Sequence, residues 1–186
     1  IALECFLKTH ANYVIIAEEV FSKKQTLENL IKDVADIIEK RAEKNKNYGT
    51  VLIPEGIIEF IPEIKELINE LNSILADGTN HQKEIEKLSS SDDKIEYVNK
   101  ILSDDKKAIF NNLGSKIQSQ LLLDRDPHGN VQVSLIESEK LIVDLVKKQL
   151  KKSSSYKGRF KAHTHFFGYE GRACLPSNFD AQYCYS

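Results

Sequence analysis

Polar and apolar positions alternate along this chain with two different periods, and the change of period divides it. From Thr26 to Arg41 the apolar residues Leu27, Leu30, Ile31, Val34, Ile37 and Ile38 recur at helical spacing. Thr26 stands where an N-cap would accept an amide hydrogen, and Glu28 lies near the positive end of the helix dipole. Two short β-branched runs flank this amphipathic helix, Val14-Ile15-Ile16 before it and Val51-Leu52-Ile53 after it, each bounded by polar residues. Such runs predict buried strands. Strand, helix and strand in that order predict a βαβ unit with a right-handed crossover and parallel strands. Ahead of it, residues 1–8 read as the tail of a helix.

After Pro62 only the helical period persists. Ile64, Leu67, Ile68, Leu71, Ile74 and Leu75 form one stripe, ended by Asp77-Gly78; Ile95, Val98, Ile101 and Leu102 form another. Ala108 to Leu123 predicts a third helix, weakened by Gly114 at about 1 kcal/mol relative to Ala. Asp124 to Asn130 reads as a turn, and Val131 to Val146 as a further helix. Ser89-Ser90-Ser91 and Ser153-Ser154-Ser155 mark connections. The expected fold is α/β: a parallel-sheet βαβ core over residues 1–61, a large all-helical insertion over 62–155 whose stripes bury one another, and a return strand and helix over 156–186.

Composition narrows the function classes. The 186 residues are 41% hydrophobic with a net charge of -2, enough chain for one substantial core. That charge gives no electrostatic reason to expect nucleic acid or an anionic membrane surface as partner, so a phosphate site would have to be local. No apolar run reaches the length of a membrane span, and the first ten residues lack the basic start of a signal peptide. Three cysteines, Cys5, Cys174 and Cys184, follow no metal-ligand spacing, and their odd number points to reduced thiols in the cytoplasm. The sequence contains no Met, and both ends fall within patterned segments, so the chain is expected to be a fragment.

Two stretches carry candidate chemistry. Pro54-Glu55-Gly56 closes the second predicted strand, and ligands of open α/β sheets gather at the carboxyl ends of strands. A carboxylate there can accept hydrogen bonds from sugar hydroxyls; an ordinary turn is the competing reading. Glu18-Glu19 follows the first strand, where solvated loop acids are commoner than a metal site. The second stretch is the aromatic run Phe166-Phe167-Gly168-Tyr169-Glu170-Gly171-Arg172. An Arg guanidinium can grip phosphate oxygens bidentately while a Tyr hydroxyl adds a directed bond. A buried strand with Arg172 in a structural ion pair competes with that assignment.

His165 to Arg172, Leu175 to Asp180 and Tyr183-Cys184-Tyr185 together resemble a motif of the long-chain pyrophosphate-dependent phosphofructokinases. The resemblance extends through Val51 to Ile58 and Arg125 to Leu141 and is weakest from Ala76 to Lys107. It implies an enzyme that transfers a phosphoryl group from pyrophosphate to fructose 6-phosphate with Mg²⁺. It places the phosphate end of fructose 6-phosphate on Tyr169 and Arg172, with Glu170 and Gly171 between them, and the sugar hydroxyls on Glu55. The family's Gly-Gly-Asp-Asp, Thr-Ile-Asp-like and Met-Gly-Arg motifs, which carry base, metal and donor, do not occur here. No residue of the chain is therefore assigned as catalytic base or metal ligand, and the chain alone is expected to be inactive. A homo- or hetero-oligomer is implied. Two alternatives stand beside this reading: a non-catalytic regulatory subunit or degenerate half that keeps the sugar-phosphate pocket, and a helical interaction or oligomerisation module.

Overall fold

The computed structural model describes residues 1–76, 80–123, 125, 130–172 and 177–185. The architecture is mostly helical around a small parallel sheet. Helix α1 (Ala2–Thr9) ends at His10, whose left-handed φ of 51° turns the chain into strand β1 (Tyr13–Val14). Helix α2 (Ala17–Ser22) and helix α3 (Leu27–Glu43) follow, then strand β2 (Val51–Leu52). The strands pair in parallel with Tyr13 opposite Val51 and Val14 opposite Leu52. Backbone pairing runs slightly further, since Asn12 N–H donates to Thr50 O and Ile15 N–H to Leu52 O. The predicted strand-helix-strand order is present, with each strand held to two residues.

Local chemistry explains the elements. The Thr26 hydroxyl accepts from Asn29 N–H at 3.2 Å, the cap expected from sequence, and Leu27, Leu30, Ile31, Val34 and Ala35 are the buried face of α3. Arg41 near the end of α3 donates from Nε and Nη2 to the Tyr48 carbonyl, and Asn12 Oδ1 accepts from Thr50 N–H, so the loop entering β2 is tied from both sides. Beyond β2 come a short helix α4 (Ile57–Phe60) and helix α5 (Pro62–Ile74), which starts on proline, the residue best suited to a first helical position.

Helices α6 (Asn80–Lys87), α7 (Ser91–Ile101), α8 (Asp104–Asn112) and α9 (Ser115–Leu123) follow, then a 3₁₀ turn at Val133–Leu135 and helix α10 (Ser138–Lys152). Glu70 of α5 caps α8 by accepting from Ser103 N–H and Oγ, both at 2.8 Å. The single helix predicted from Ala108 to Leu123 is two helices, because Leu113 takes an extended backbone between α8 and α9. The break leaves carbonyls at the end of α8, and buried Gln118 donates to one of them, Phe110 O, at 2.7 Å. An isolated antiparallel bridge joins Arg125 and Val131, the one β pairing among the described residues of this stretch. The Asp77-Gly78 break and residues 126–129 of the expected turn lie outside the described residues.

The hydrophobic core is continuous from Ile15 to Leu150. Within the helical stretch α5 packs on α8 and α7 on α9, as expected of stripes that bury one another. Helix α10 departs from that expectation and packs along α3, with Ser155 Oγ donating to the Glu39 carboxylate just beyond. The reason lies in α3 itself. A two-stranded sheet covers only part of an apolar stripe that long, and Leu141, Ile142, Val146 and Leu150 supply the remaining cover.

The return strand predicted near Phe166 is not formed. The described residues from 156 to 168 hold no regular element, and a helical turn, α11 (Tyr169–Arg172), follows them. Aromatic β-propensity only reports how side chains suit a pleated surface, and a strand exists only where a neighbouring backbone accepts its ladder. Helix α12 (Asn178–Tyr185) closes the chain.

Candidate functional site

Glu55 sits where β2 ends, in the turn that opens α4. Ile57 and Ile58 are buried, the former wholly, and they anchor the turn from its far side. Ile57 N–H donates to Pro54 O at 3.2 Å and Glu59 N–H to Gly56 O at 3.1 Å, closing the turn tightly. Glu55 itself is half-buried, so its carboxylate is carried on a rigid support at the carboxyl end of a parallel strand. That end is shared with β1, after which Glu18 and Glu19 open α2; α2 packs on α4, so the two strand ends face one neighbourhood.

Glu19 is committed there to Lys23, one turn further along α2, in an exposed ion pair. Its hydrogen bond, with its charge, raises the Lys23 ammonium above the ordinary lysine range. A polar cleft of ≈ 120 Å³ lies beside β1, with Tyr13, Glu19, Lys23, Gln25 and Asp33 among its lining residues. Burial, then the negative charges of Asp33 and Glu19, push the Tyr13 hydroxyl above its usual value against the opposing charge of Lys23. Gln25 Nε2 donates to Asp33 Oδ2 at 3.2 Å. These groups satisfy one another, as expected of a structural network. Among the described residues no group of three or more His, Cys, Asp or Glu side chains could hold a metal ion.

The second candidate element stands differently. Phe166 and Phe167 are 57% and 71% exposed, and the His165 ring stacks on Phe167 at 6.4 Å between centroids. Gly168 is buried; a Cβ there would come within 2.7 Å of the exposed Phe166 ring, which would have to turn aside. Glu170 and Gly171 are exposed on α11. The side chains of Tyr169 and Arg172, and hence the expected approach of Arg172 to Glu55 across a shared cleft, lie outside what is described, as do Cys174 and the Leu175-Pro176 part of the motif.

One residue escaped the sequence reading. Ser138, at the first position of α10, is 2% exposed, and its hydroxyl lies 3.3 Å from the Glu55 carbonyl oxygen. Just before it, Glu137 is held between Lys116 and Lys140, and hydrogen bonds from those two ammonium groups bring its carboxyl below the usual range. A single serine opening a helix carries no sequence pattern for a contact 83 residues away.

No family model matches the chain. Individual relatives do. The chain is similar over its whole length to the pyrophosphate--fructose 6-phosphate 1-phosphotransferase subunit beta 2 of Arabidopsis thaliana, 48% identical and covering 31% of that protein. It is 47% identical, again over its whole length, to 32% of the pyrophosphate--fructose 6-phosphate 1-phosphotransferase of Treponema pallidum. The subunit alpha 2 from Arabidopsis thaliana matches at 39% over the whole chain and 28% of its own length. The chain thus spans about a third of the curated relatives it matches. The resemblance read from its motifs is borne out along all of its residues: it is a relative of the pyrophosphate--fructose 6-phosphate 1-phosphotransferases, similar to about a third of each.

Proposed function

We propose that the chain is part of an enzyme that transfers a phosphoryl group from pyrophosphate to the 1-hydroxyl of fructose 6-phosphate, and that it supplies residues of the sugar-phosphate site within a phosphofructokinase-like α/β fold. The observation that carries this reading is the placement of Glu55 at the carboxyl end of β2, on a buried anchor, in a chain whose whole length matches such transferases. Glu55 accepts hydrogen bonds from the sugar hydroxyls. Tyr169 and Arg172 take the phosphate end of fructose 6-phosphate, with Glu170 and Gly171 bringing them onto one helical turn. None of these groups acts as the base. The family resemblance assigns pyrophosphate and Mg²⁺ to motifs that do not occur in this chain, and among the described residues no group of three or more His, Cys, Asp or Glu side chains could hold a metal ion.

The naming of relatives as alpha and beta subunits supports an oligomer, and identity is higher to the beta subunit. A cytoplasmic location is proposed from the family resemblance; among the described residues no helix is long and apolar enough to cross a membrane. Packing of α10 on α3 supports residues 62–155 as a buttress of the α/β part over a separable interaction module.

Steady-state kinetics of the complete enzyme test the reading. Arg172→Lys keeps the charge but loses the planar fork, and is expected to weaken fructose 6-phosphate binding roughly ten- to a hundredfold while sparing pyrophosphate. Glu55→Gln is expected to act on the same substrate. Tyr169→Phe should be the mildest of the three. Weakened use of pyrophosphate with unchanged fructose 6-phosphate affinity in Arg172→Lys would assign the element to the wrong substrate.

A further inference from the structure

We infer that Ser138 is a positioning residue for Glu55, fixing the sugar-binding turn from the far end of the helical stretch; the inference rests on the role proposed for Glu55. The Ser138 hydroxyl has two carbonyls at 3.3 Å, those of Glu55 and Ile136, and one proton to give. The Ile136 carbonyl already accepts the Ser138 N–H at 2.7 Å. The hydroxyl proton is therefore best used on Glu55.

Two features make this contact more than packing. The turn is closed by its own backbone bonds, Ile57 N–H to Pro54 O and Glu59 N–H to Gly56 O, and is anchored by buried Ile57 and Ile58. Ser138 adds a donor from a separate helix, 83 residues away. Ser138 is itself fixed, since Glu137 N–H donates to Gln120 Oε1 at 3.4 Å and the Glu137 carboxylate is gripped by Lys116 and Lys140. The donor thus stands on a braced helix start. Ser138 is 2% exposed, so Ser138→Ala removes a buried donor from the Glu55 carbonyl and loosens the support that aims the carboxylate.

The experiment compares Ser138→Ala, Ser138→Thr and Glu55→Gln in the complete enzyme, measuring KM for each substrate, kcat and the thermal midpoint. Ser138→Ala is expected to raise KM for fructose 6-phosphate roughly tenfold with KM for pyrophosphate unchanged, the size of one hydrogen bond's loss. Ser138→Thr keeps the hydroxyl and should restore most of the affinity. A lowered midpoint with both KM values unchanged, or equal changes in both, overturns the positioning role. Should Ser138→Ala fail to fold, Ser138→Cys, of similar size and a weaker donor, is judged by the same split between substrates. If Glu55→Gln weakens fructose 6-phosphate and Ser138→Ala does not, only the positioning role falls. If Glu55→Gln leaves fructose 6-phosphate untouched, the proposed sugar role of Glu55 falls with it.

Discussion

The turn at Glu55 and the segment at 156–172 were drawn from sequence as two halves of one pocket, yet they are built in opposite ways. Glu55 stands on wholly buried Ile57, between a parallel strand and a helix, and a side chain from α10 reaches back to hold it. The Phe166-Phe167 segment has no sheet partner among the described residues and turns its aromatic rings outward. A binding residue's precision comes from the order of its support. The difference teaches that this chain braces the Glu55 turn with its own core, whereas the described residues leading into α11 have no comparable support.

Three substitutions break or sharpen that contrast. The largest effect is expected in the continuous core: Phe110→Ala removes a wholly buried ring packed between helices, and should lower stability by about 3–5 kcal/mol in chemical denaturation. If it costs less than about 1 kcal/mol, the helical stretch does not share the core that braces Glu55. Thr26→Ala removes the cap of α3, the helix on which α10 rests, and should cost about 1 kcal/mol by the same measurement, with Thr26→Ser close to neutral. Phe167→Ser, at a ring 71% exposed, should change stability by no more than about 0.5 kcal/mol; a larger loss would show that the segment is braced after all.

A pH titration probes the brace behind Ser138. The Glu137 carboxyl is depressed by its hydrogen bonds to Lys116 and Lys140, so its contribution is present above the unfolded glutamate range and is lost as pH falls through the lowered folded value. Denaturation midpoints of the native chain and of Glu137→Gln should therefore differ at neutral pH and converge in acid. A difference that persists unchanged in acid would trace the effect to packing.

Periodicity carried most of the helices and the strand order, because an amphipathic stripe such as Leu27 to Ile38 is a local property. What it missed was decided elsewhere in the chain. α6 buries one side chain, Ile85, and so shows no stripe to read. The division of α8 from α9 comes with a contact from Gln118 to the Phe110 carbonyl, which spacing cannot announce. The aromatic run at Phe166 satisfied strand propensity while lacking a backbone to pair with. Glu55 was singled out by a Pro-Glu-Gly turn after a buried run together with the family resemblance, since the turn alone reads equally as an ordinary turn, whereas Ser138 gains its meaning only from the turn it meets.

The seam between α3 and α10 also sets an order of events during synthesis. The apolar stripe of α3 is finished at Glu43, and its cover begins at Ser138. A ribosome adding roughly 5–20 residues per second takes on the order of ten seconds to make what lies between. During that interval the nascent chain carries Leu30, Ile31 and Val34 without their final cover. That window is where a chaperone that recognises exposed aliphatic helix faces would engage this polypeptide, and it closes when α10 leaves the exit tunnel.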